Sequence, residues 1–199
     1  MFEVLLGRRD VVIVDTETTG FGATDQVIQV AVINTRGKVL MNDLVRVTDK
    51  IPKRATKIHG WTRWKLRRHG ARQWVKVYPK LKRRLHRATV VLAWNAPFDK
   101  RLIAQTCNRN DLPSPCCKWQ CCMRMYKQLR RGHRYGLKDA AQLEGVRVGK
   151  RHDALADCRT TLAVMQAVAN SGDEGKQVTS RSGHKRGCLG FGFRKPRKS

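Results

Sequence analysis

Acidic side chains stand at the ends of apolar runs in this sequence, where they could bind a metal ion. Asp15 and Glu17 directly follow the β-branched run at residues 11–14. Alternation along a strand would point both carboxylates to one side, where they repel each other unless a cation lies between them. Hard divalent cations such as Mg²⁺ and Mn²⁺ prefer oxygen ligands. The alternative is that Asp15 caps a turn and Glu17 is solvated.

Two further acidic side chains lie near the starts of predicted helices. Asp99 follows another apolar run and begins a predicted helix, where an acidic residue is also a plain N-terminal cap. Asp157 comes five residues after His152, at the start of a predicted last helix, so both could face one cleft. Asp153 is the more natural N-cap of that helix, which leaves Asp157 for another role.

The elements that must position these groups form an α/β pattern. Short runs rich in β-branched residues predict buried strands, and apolar residues at helical spacing predict amphipathic helices. A turn at residues 34–37 joins two of the strands, so residues 11–47 are predicted to form an antiparallel meander. The predicted strands are 11–14, 27–33, 39–47 and 89–94, and the predicted helices are 74–85, 99–107 and 153–169.

Composition changes near the end of the chain. After residue 170 the sequence is rich in Gly, Ser, Lys and Arg and has few large apolar side chains. Such a segment buries too little apolar surface to fold by itself. We therefore predict one domain over residues 1–170 and a basic, Gly-rich, disordered tail over residues 171–199.

The net charge indicates a polyanionic partner. The 199 residues carry a formal charge of +27, and residues 50–151 alone hold 28 Lys and Arg against 4 Asp and Glu. Nucleic acid is the first candidate partner and an anionic membrane surface the second. A hydrophobic content of 41% excludes a wholly disordered basic protein.

The sequence also predicts where the protein works. No run of about 18 apolar residues is present, so a membrane span is not expected, and the N-terminus lacks the pattern of a signal peptide. The seven cysteines are an odd number, and the adjacent pairs at residues 116–117 and 121–122 fit zinc-ligand spacing poorly. We predict reduced thiols and a cytoplasmic location.

The acidic segments resemble, in order, the three exonuclease motifs of the DEDDh 3′→5′ exonuclease family, which includes proofreading subunits of bacterial polymerases and RNA-trimming ribonucleases. Residues 58–62 are similar to the family's His-Gly element, and residues 135–140 resemble the start of one of its helices. The resemblance covers about residues 9–170 and implies an RNase H-like fold, a mixed five-stranded sheet with helices on both sides. The three segments are Asp15-x-Glu17, Asn95-x-x-Phe98-Asp99 and His152-x₄-Asp157.

The resemblance also implies a mechanism, hydrolysis of a phosphodiester with two Mg²⁺ or Mn²⁺ ions and His152 as the general base. The reaction would release nucleoside 5′-monophosphates. Phe98 has a plain alternative as a core residue. The implied metal ligands, which are also catalytic, are Asp15, Glu17, Asp99 and Asp157, and the implied substrate contacts are Thr18, Thr19, His59, Asn95 and Phe98.

Three functions remain open from the sequence. A 3′→5′ exonuclease on single-stranded DNA comes first, and an exoribonuclease that trims RNA 3′ ends is the alternative within the family. A basic nucleic-acid-binding module without catalysis is the third, but such a module gains nothing from four acids that face a polyanion. The short basic tail argues against membership of a polymerase holoenzyme, and no residue pattern indicates an oligomeric state.

Overall fold

The computed structural model of the chain describes residues 1–130, 136–149 and 152–177, with side chains up to residue 171. Two predictions fall partly elsewhere. Tyr135, in the segment predicted to start a helix, and residues 178–199 of the predicted tail lie outside the described residues.

One mixed sheet forms the centre of the molecule. Its strands are β1 (Val11–Thr18), β2 (Val27–Asn34), β3 (Val39–Leu44), β4 (Val90–Ala93) and β5 (Trp119–Cys121). The spatial order is β3-β2-β1-β4-β5. β1 and β3 both pair antiparallel with β2, whereas β4 pairs parallel with β1 and with β5. The predicted α/β class, the antiparallel meander and the mixed five-stranded sheet are therefore confirmed.

Helices cover both faces of this sheet, as predicted. They are α1 (Phe2–Leu6), α2 (Lys53–His59), α3 (Arg63–Arg68), α4 (Trp74–His86), α5 (Ala96–Asn108), α6 (Cys122–Arg130), α7 (Leu137–Leu143) and α8 (Ala154–Gln177). Among the described residues, no helix combines the length and the apolar character that crossing a bilayer requires.

Alternation along β1 divides the core into two layers. Val11 and Ile13 pack in one apolar cluster with residues of α1, α6, α7 and α8. Val12 and Val14 pack in a second cluster with residues of α4 and α5. Because successive side chains of a strand point to opposite faces, the residue parity on β1 determines which helices each later side chain meets.

Several elements differ from the prediction. β3 ends at Leu44 rather than at 47, where the chain turns to a single bridge between Val45 and Arg72. α5 begins at Ala96 rather than at Asp99, because Pro97 suits the first turn of a helix. β5 was not predicted, since three residues are too few to show a period. α8 continues to Gln177, seven residues into the predicted tail, because extending a packed helix costs little once it is nucleated.

Candidate metal centre and active-site cleft

Parallel pairing of β1 with β4 gathers the acidic segments at one edge of the sheet. Ile13 lies opposite Leu92, so the carboxyl ends of both strands point the same way. Asp15 and Glu17 continue the face of β1 that carries Val11 and Ile13, which is the face covered by α8.

Asp99 approaches the same edge from the other layer. It lies on the fourth residue of α5, is 3% exposed, and accepts a hydrogen bond of 2.8 Å from the Thr16 hydroxyl. Thr16 occupies the opposite face of β1 from Asp15, which is the face against which α5 packs. The helix N-cap position belongs to Asn95. Asp99 is therefore not the plain N-terminal cap that its sequence position allowed.

Asp153 caps α8 and ties its start to β2. Its Oδ1 accepts hydrogen bonds from the backbone N–H groups of Leu155 and Ala156, at 3.2 and 3.1 Å. This confirms the predicted N-cap. Gln29 on β2 donates to Asp153 Oδ2 at 3.2 Å and accepts from the Ala154 N–H at 3.3 Å. The two contacts fix the first turn of α8, which carries Asp157.

Glu17, His152 and Asp157 converge closely enough to share one cation. One ligand atom from each of the three lies within 4.8 Å of the others. His152 holds a left-handed backbone conformation with φ of 56°, which is uncommon for a residue with a side chain and is found mostly where function requires it. The two carboxylates are hard oxygen ligands of the kind that Mg²⁺ and Mn²⁺ prefer, whereas an imidazole is a softer ligand than Mg²⁺ usually takes.

The carboxylates hold protons more tightly than usual. Burial raises the pKa of Glu17 to about 8, with the charges of Asp157, Asp153 and Asp99 adding to the effect. Burial raises the pKa of Asp99 to about 7 against the opposing hydrogen bond from Thr16. Burial and the Asp99 charge raise the pKa of Asp15 well above its ordinary range. A divalent cation bound among these carboxylates would offset their mutual repulsion.

All ten site residues predicted from the sequence line one cleft of about 470 Å³. The structure therefore brings the whole predicted set together, and their roles remain predictions. The ten are Asp15, Glu17, Thr18, Thr19, His59, Asn95, Phe98, Asp99, His152 and Asp157.

Two of the predicted substrate contacts already use their hydroxyl protons. The Thr18 hydroxyl donates to the Gly20 carbonyl at 2.8 Å, and the Thr19 hydroxyl donates to Asp25 Oδ1 at 2.6 Å. A Cβ on Gly20 would come within 2.6 Å of Asp25 Oδ2, so a larger residue there would displace the carboxylate that accepts from Thr19. The two threonines thus shape the turn at the cleft wall and keep only lone pairs for a ligand.

His59 presents a hydrogen-bond donor to the cleft that it lines. Its Nδ1 accepts from the Trp61 N–H at 3.0 Å, so the proton of the neutral ring must be on Nε2. Nε2 makes no hydrogen bond with any described residue. Burial, with a contribution from nearby His152, lowers the pKa of His59 to about 4, which keeps the ring neutral near pH 7.

Sequence reasoning missed an aromatic residue at the cleft rim. Phe21 is 66% exposed, and its ring centroid lies 5.6 Å from that of Phe98. The Arg101 guanidinium lies 5.6 Å from the centroid of the Phe98 ring. The position of Phe21, directly after Asp-x-Glu-Thr-Thr-Gly, was the available signal. Phe98 is partly buried and packs against the core, as its alternative predicted, and its contact with substrate stays a prediction.

Comparisons with known proteins agree on one family. The RNase_T family model, described as Exonuclease, matches residues 12–165. The uncharacterized exonuclease CP81 of Escherichia phage 186 is 35% identical over 184 residues, which are 82% of this chain and 90% of that protein. Exonuclease X, solved in complex with 5′ overhanging duplex DNA, is 26% identical with a TM-score of 0.61 and covers 81% of this chain and 93% of its own.

A third match compares folds alone. The nuclease domain of 3′hExo, a DEDDh family member solved with bound rAMP, is 17% identical with a TM-score of 0.67. The match covers 84% of this chain and 94% of that one. The fold of a DEDDh nuclease domain therefore extends over nearly all the described residues.

The raised carboxylate pKa values predict a pH-dependent stability. Between about pH 4.5 and 8, folded Glu17 binds a proton that the unfolded chain releases, so the free energy of unfolding should fall as pH rises across this range. In chelator, we expect a lower Tm at pH 8 than at pH 5.5, and Mn²⁺ should raise the Tm more at pH 8. The measurement is calorimetry in both conditions. The control is Glu17→Gln, in which both the dependence of Tm on pH and the stabilisation by Mn²⁺ at pH 8 should be smaller. An equal dependence of Tm on pH in wild type and in Glu17→Gln would contradict the raised pKa of Glu17.

The Gln29 contacts predict a positioning role at the start of α8. Gln29→Leu leaves Asp153 Oδ2 and the Ala154 N–H without their partner, so it should cost about 1–3 kcal/mol in the free energy of unfolding. It should also weaken Mn²⁺ binding, because Asp157 follows in the same turn. The control is Asn42→Ala, which removes a neighbouring 3.1 Å hydrogen bond to Gln29 only. If both variants weaken Mn²⁺ binding equally, Gln29 has no positioning role; calorimetric titration with Mn²⁺ measures this.

Proposed function

This chain belongs to the RNase_T exonuclease family of DEDDh enzymes, and on that basis we propose that it is a metal-dependent 3′→5′ exonuclease. Its substrate is the 3′ end of single-stranded nucleic acid, with DNA preferred, and its products are nucleoside 5′-monophosphates. The observation that carries the proposal is the convergence of four carboxylates and His152 in one cleft.

The four carboxylates are the proposed ligands of two Mg²⁺ or Mn²⁺ ions. Bound there, the ions would lower the pKa of the attacking water and stabilise negative charge on the leaving 3′-oxygen. Glu17 and Asp99, whose pKa values are raised to about 8 and about 7, would have to release their protons to hold these ions. The Thr16 hydroxyl donates to Asp99 Oδ1 and thereby restrains this carboxylate beside β1.

His152 accepts the proton of the attacking water in this mechanism. An imidazole titrates near neutral pH, which suits a general base. His152 has a left-handed backbone, and a ring nitrogen of this residue lies within 4.8 Å of carboxylate oxygens of Glu17 and Asp157. Near His152 in the same cleft, the His59 Nε2–H is available to a phosphate or sugar oxygen of the terminal nucleotide.

The two aromatic residues at the cleft rim, Phe21 and Phe98, support a role in binding the terminal base. The rings of Phe21 and Phe98 are tilted by 50° to each other at one side of the cleft, and the exposed ring of Phe21 offers a surface on which a base can stack. Both DNA and RNA ends present such a base. DNA is preferred in this proposal because Exonuclease X, whose sequence is 26% identical, was solved with DNA.

The first test is degradation of labelled oligonucleotides. With Mg²⁺ or Mn²⁺, we expect a 5′-labelled single strand to shorten from its 3′ end into a ladder, and chelator should stop the loss. Asp157→Ala should lower kcat by at least about 100-fold, since the developing charge loses its stabilisation. The control is Asp139→Ala, an exposed-helix acid outside the cleft, which should keep full activity.

The same assay separates the competing functions. A ladder from DNA that is faster than from RNA of the same sequence supports the proposal, and the reverse order supports the RNA-trimming alternative. Binding to both strands without any metal-dependent shortening would leave a binding module and overturn the catalytic proposal.

The role of His152 gives a separate prediction. If His152 is the general base, His152→Gln should lower kcat by about 10²- to 10⁴-fold and leave the Mn²⁺ affinity close to wild type. The close approach to Glu17 and Asp157 allows the opposite result, a loss of Mn²⁺ affinity with activity restored by excess metal. Calorimetric Mn²⁺ titration together with kcat at saturating metal distinguishes a base from a ligand.

A further inference from the structure

A second and larger cleft lies on the other side of α2 from the active site. Its volume is about 930 Å³, and its walls are the segment 45–51, helix α3 and the C-terminal end of α5. Thr56 of α2 lines this second cleft, whereas Ala55 and His59 of the same helix line the active-site cleft. The short helix α2 is thus the ridge between the two.

The lining of this second cleft is strongly cationic, and we call it the basic cleft. None of the residues that line it is acidic. Two of its cations have local partners, since Arg109 pairs with Asp49 and Arg63 donates to the Thr48 carbonyl. The five exposed cations of the lining are Arg46, Lys50, Arg63, Arg67 and Arg109.

Three of these cations have no partner within the described residues. The side chains of Arg46, Lys50 and Arg67 make no hydrogen bond or ion pair there, and all three residues are exposed. The shortage of partners is built into the sequence, because residues 50–98 contain 15 Lys and Arg and no Asp or Glu. A concave surface with uncompensated positive charge attracts polyanions and raises their local concentration.

An exposed aromatic ring stands in the same cleft. Trp64 is 63% exposed and lines the basic cleft, with the Arg68 guanidinium 5.2 Å from its ring centroid. Trp74, the other indole in this lining, is 2% exposed and belongs to the core. Trp64 is therefore the ring on which a base can stack, and a phosphate can pair with the cations beside it.

Positive charge also continues across the ridge. The exposed side chains of Lys53, Arg54 and Lys57 all lie on α2, and Arg54 reaches the lining of the active-site cleft. A strand with its 3′ end among the carboxylates thus meets cations from the active site, over α2, to the basic cleft.

We propose that the basic cleft binds the phosphodiester backbone of the substrate away from the nucleotide that is cleaved, with a base stacked on Trp64. The inference rests on the proposed exonuclease function, because that function brings a nucleic-acid 3′ end to the neighbouring cleft. The bound backbone is either the 5′ continuation of the same strand or the complementary strand of a duplex. The consequence is that the enzyme holds long substrates by a site that takes no part in hydrolysis.

The test compares two triple variants of matched charge. The first, Arg46→Gln/Lys50→Gln/Arg67→Gln, neutralises the basic cleft. The second, Lys76→Gln/Arg83→Gln/Arg87→Gln, removes the same number of Arg and Lys from exposed positions on and next to α4 that line no described cleft. Fluorescence anisotropy in chelator, over a range of salt, measures the Kd of a labelled 20-nucleotide single strand and of a duplex with a single-stranded 3′ end. Circular dichroism melts check that all variants fold.

For the basic-cleft variant, we expect the salt slope of log Kd to fall by about 2, since a single strand contributes about 0.7 per neutralised phosphate. The second triple variant should change the slope by less than half of this. Trp64→Ala should weaken binding by about 10-fold with little change in slope. Hydrolysis of a trinucleotide, which is too short to reach the basic cleft, should stay at the wild-type rate in all three.

Each outcome decides the proposal. If the basic-cleft variant binds the single strand more weakly than wild type, the cleft holds the upstream part of the cleaved strand. If its binding is weaker only for the duplex, the cleft holds the complementary strand. Equal salt slopes of log Kd for the two triple variants would overturn the proposal. It would also be overturned if the variants that bind long strands more weakly hydrolyse the trinucleotide more slowly as well. If the wild-type protein shows no nuclease activity, the proposed function is refuted. The binding comparison can still be interpreted, because it is made in chelator and does not depend on catalysis.

Discussion

Mutual repulsion among carboxylates at one edge of the sheet is the constraint on which the rest of this structure depends. Asp15 and Glu17 reach that edge from β1, Asp157 from the helix on one face, and Asp99 from the helix on the other. Such a group of acids is held together only because two packed layers fix the elements that carry them. Retained protons relieve the repulsion in the absence of metal, and divalent cations would relieve it in the working enzyme.

Much of this arrangement could be predicted from the sequence, since it follows from strong local signals. The buried strands are continuous β-branched runs, and alternation alone places Asp15 and Glu17 on one face. The capping role of Asp153 could be recognised because helix starts have a chemical signature that needs no tertiary knowledge. The meeting of Asp99 with β1 was implied only by resemblance to a family; its physical cause is the parallel pairing of β1 with β4.

Features that depend on distant contacts could not be predicted in this way. Gln29 looks like an ordinary residue of an apolar strand, and its role appears only when α8 is docked 124 residues later in the chain. β5 is too short to have a period, and its pairing with β4 decides its conformation. Trp64 and Trp74 have the same side chain in the same basic segment, but packing buries one and exposes the other. The spacing of apolar residues indicates whether a segment is a helix or a strand, but it says less about which other elements pack against that segment.

The backbone at His152 sets a limit on how the protein can be improved. A left-handed conformation costs a residue with a Cβ on the order of 1 kcal/mol, and glycine adopts it at no such cost. Selection for thermal robustness alone would therefore favour glycine at this position, at the expense of the imidazole. If His152 is the general base proposed above, stability and turnover compete at this residue, and a more stable version of this enzyme has to gain its stability elsewhere in the chain.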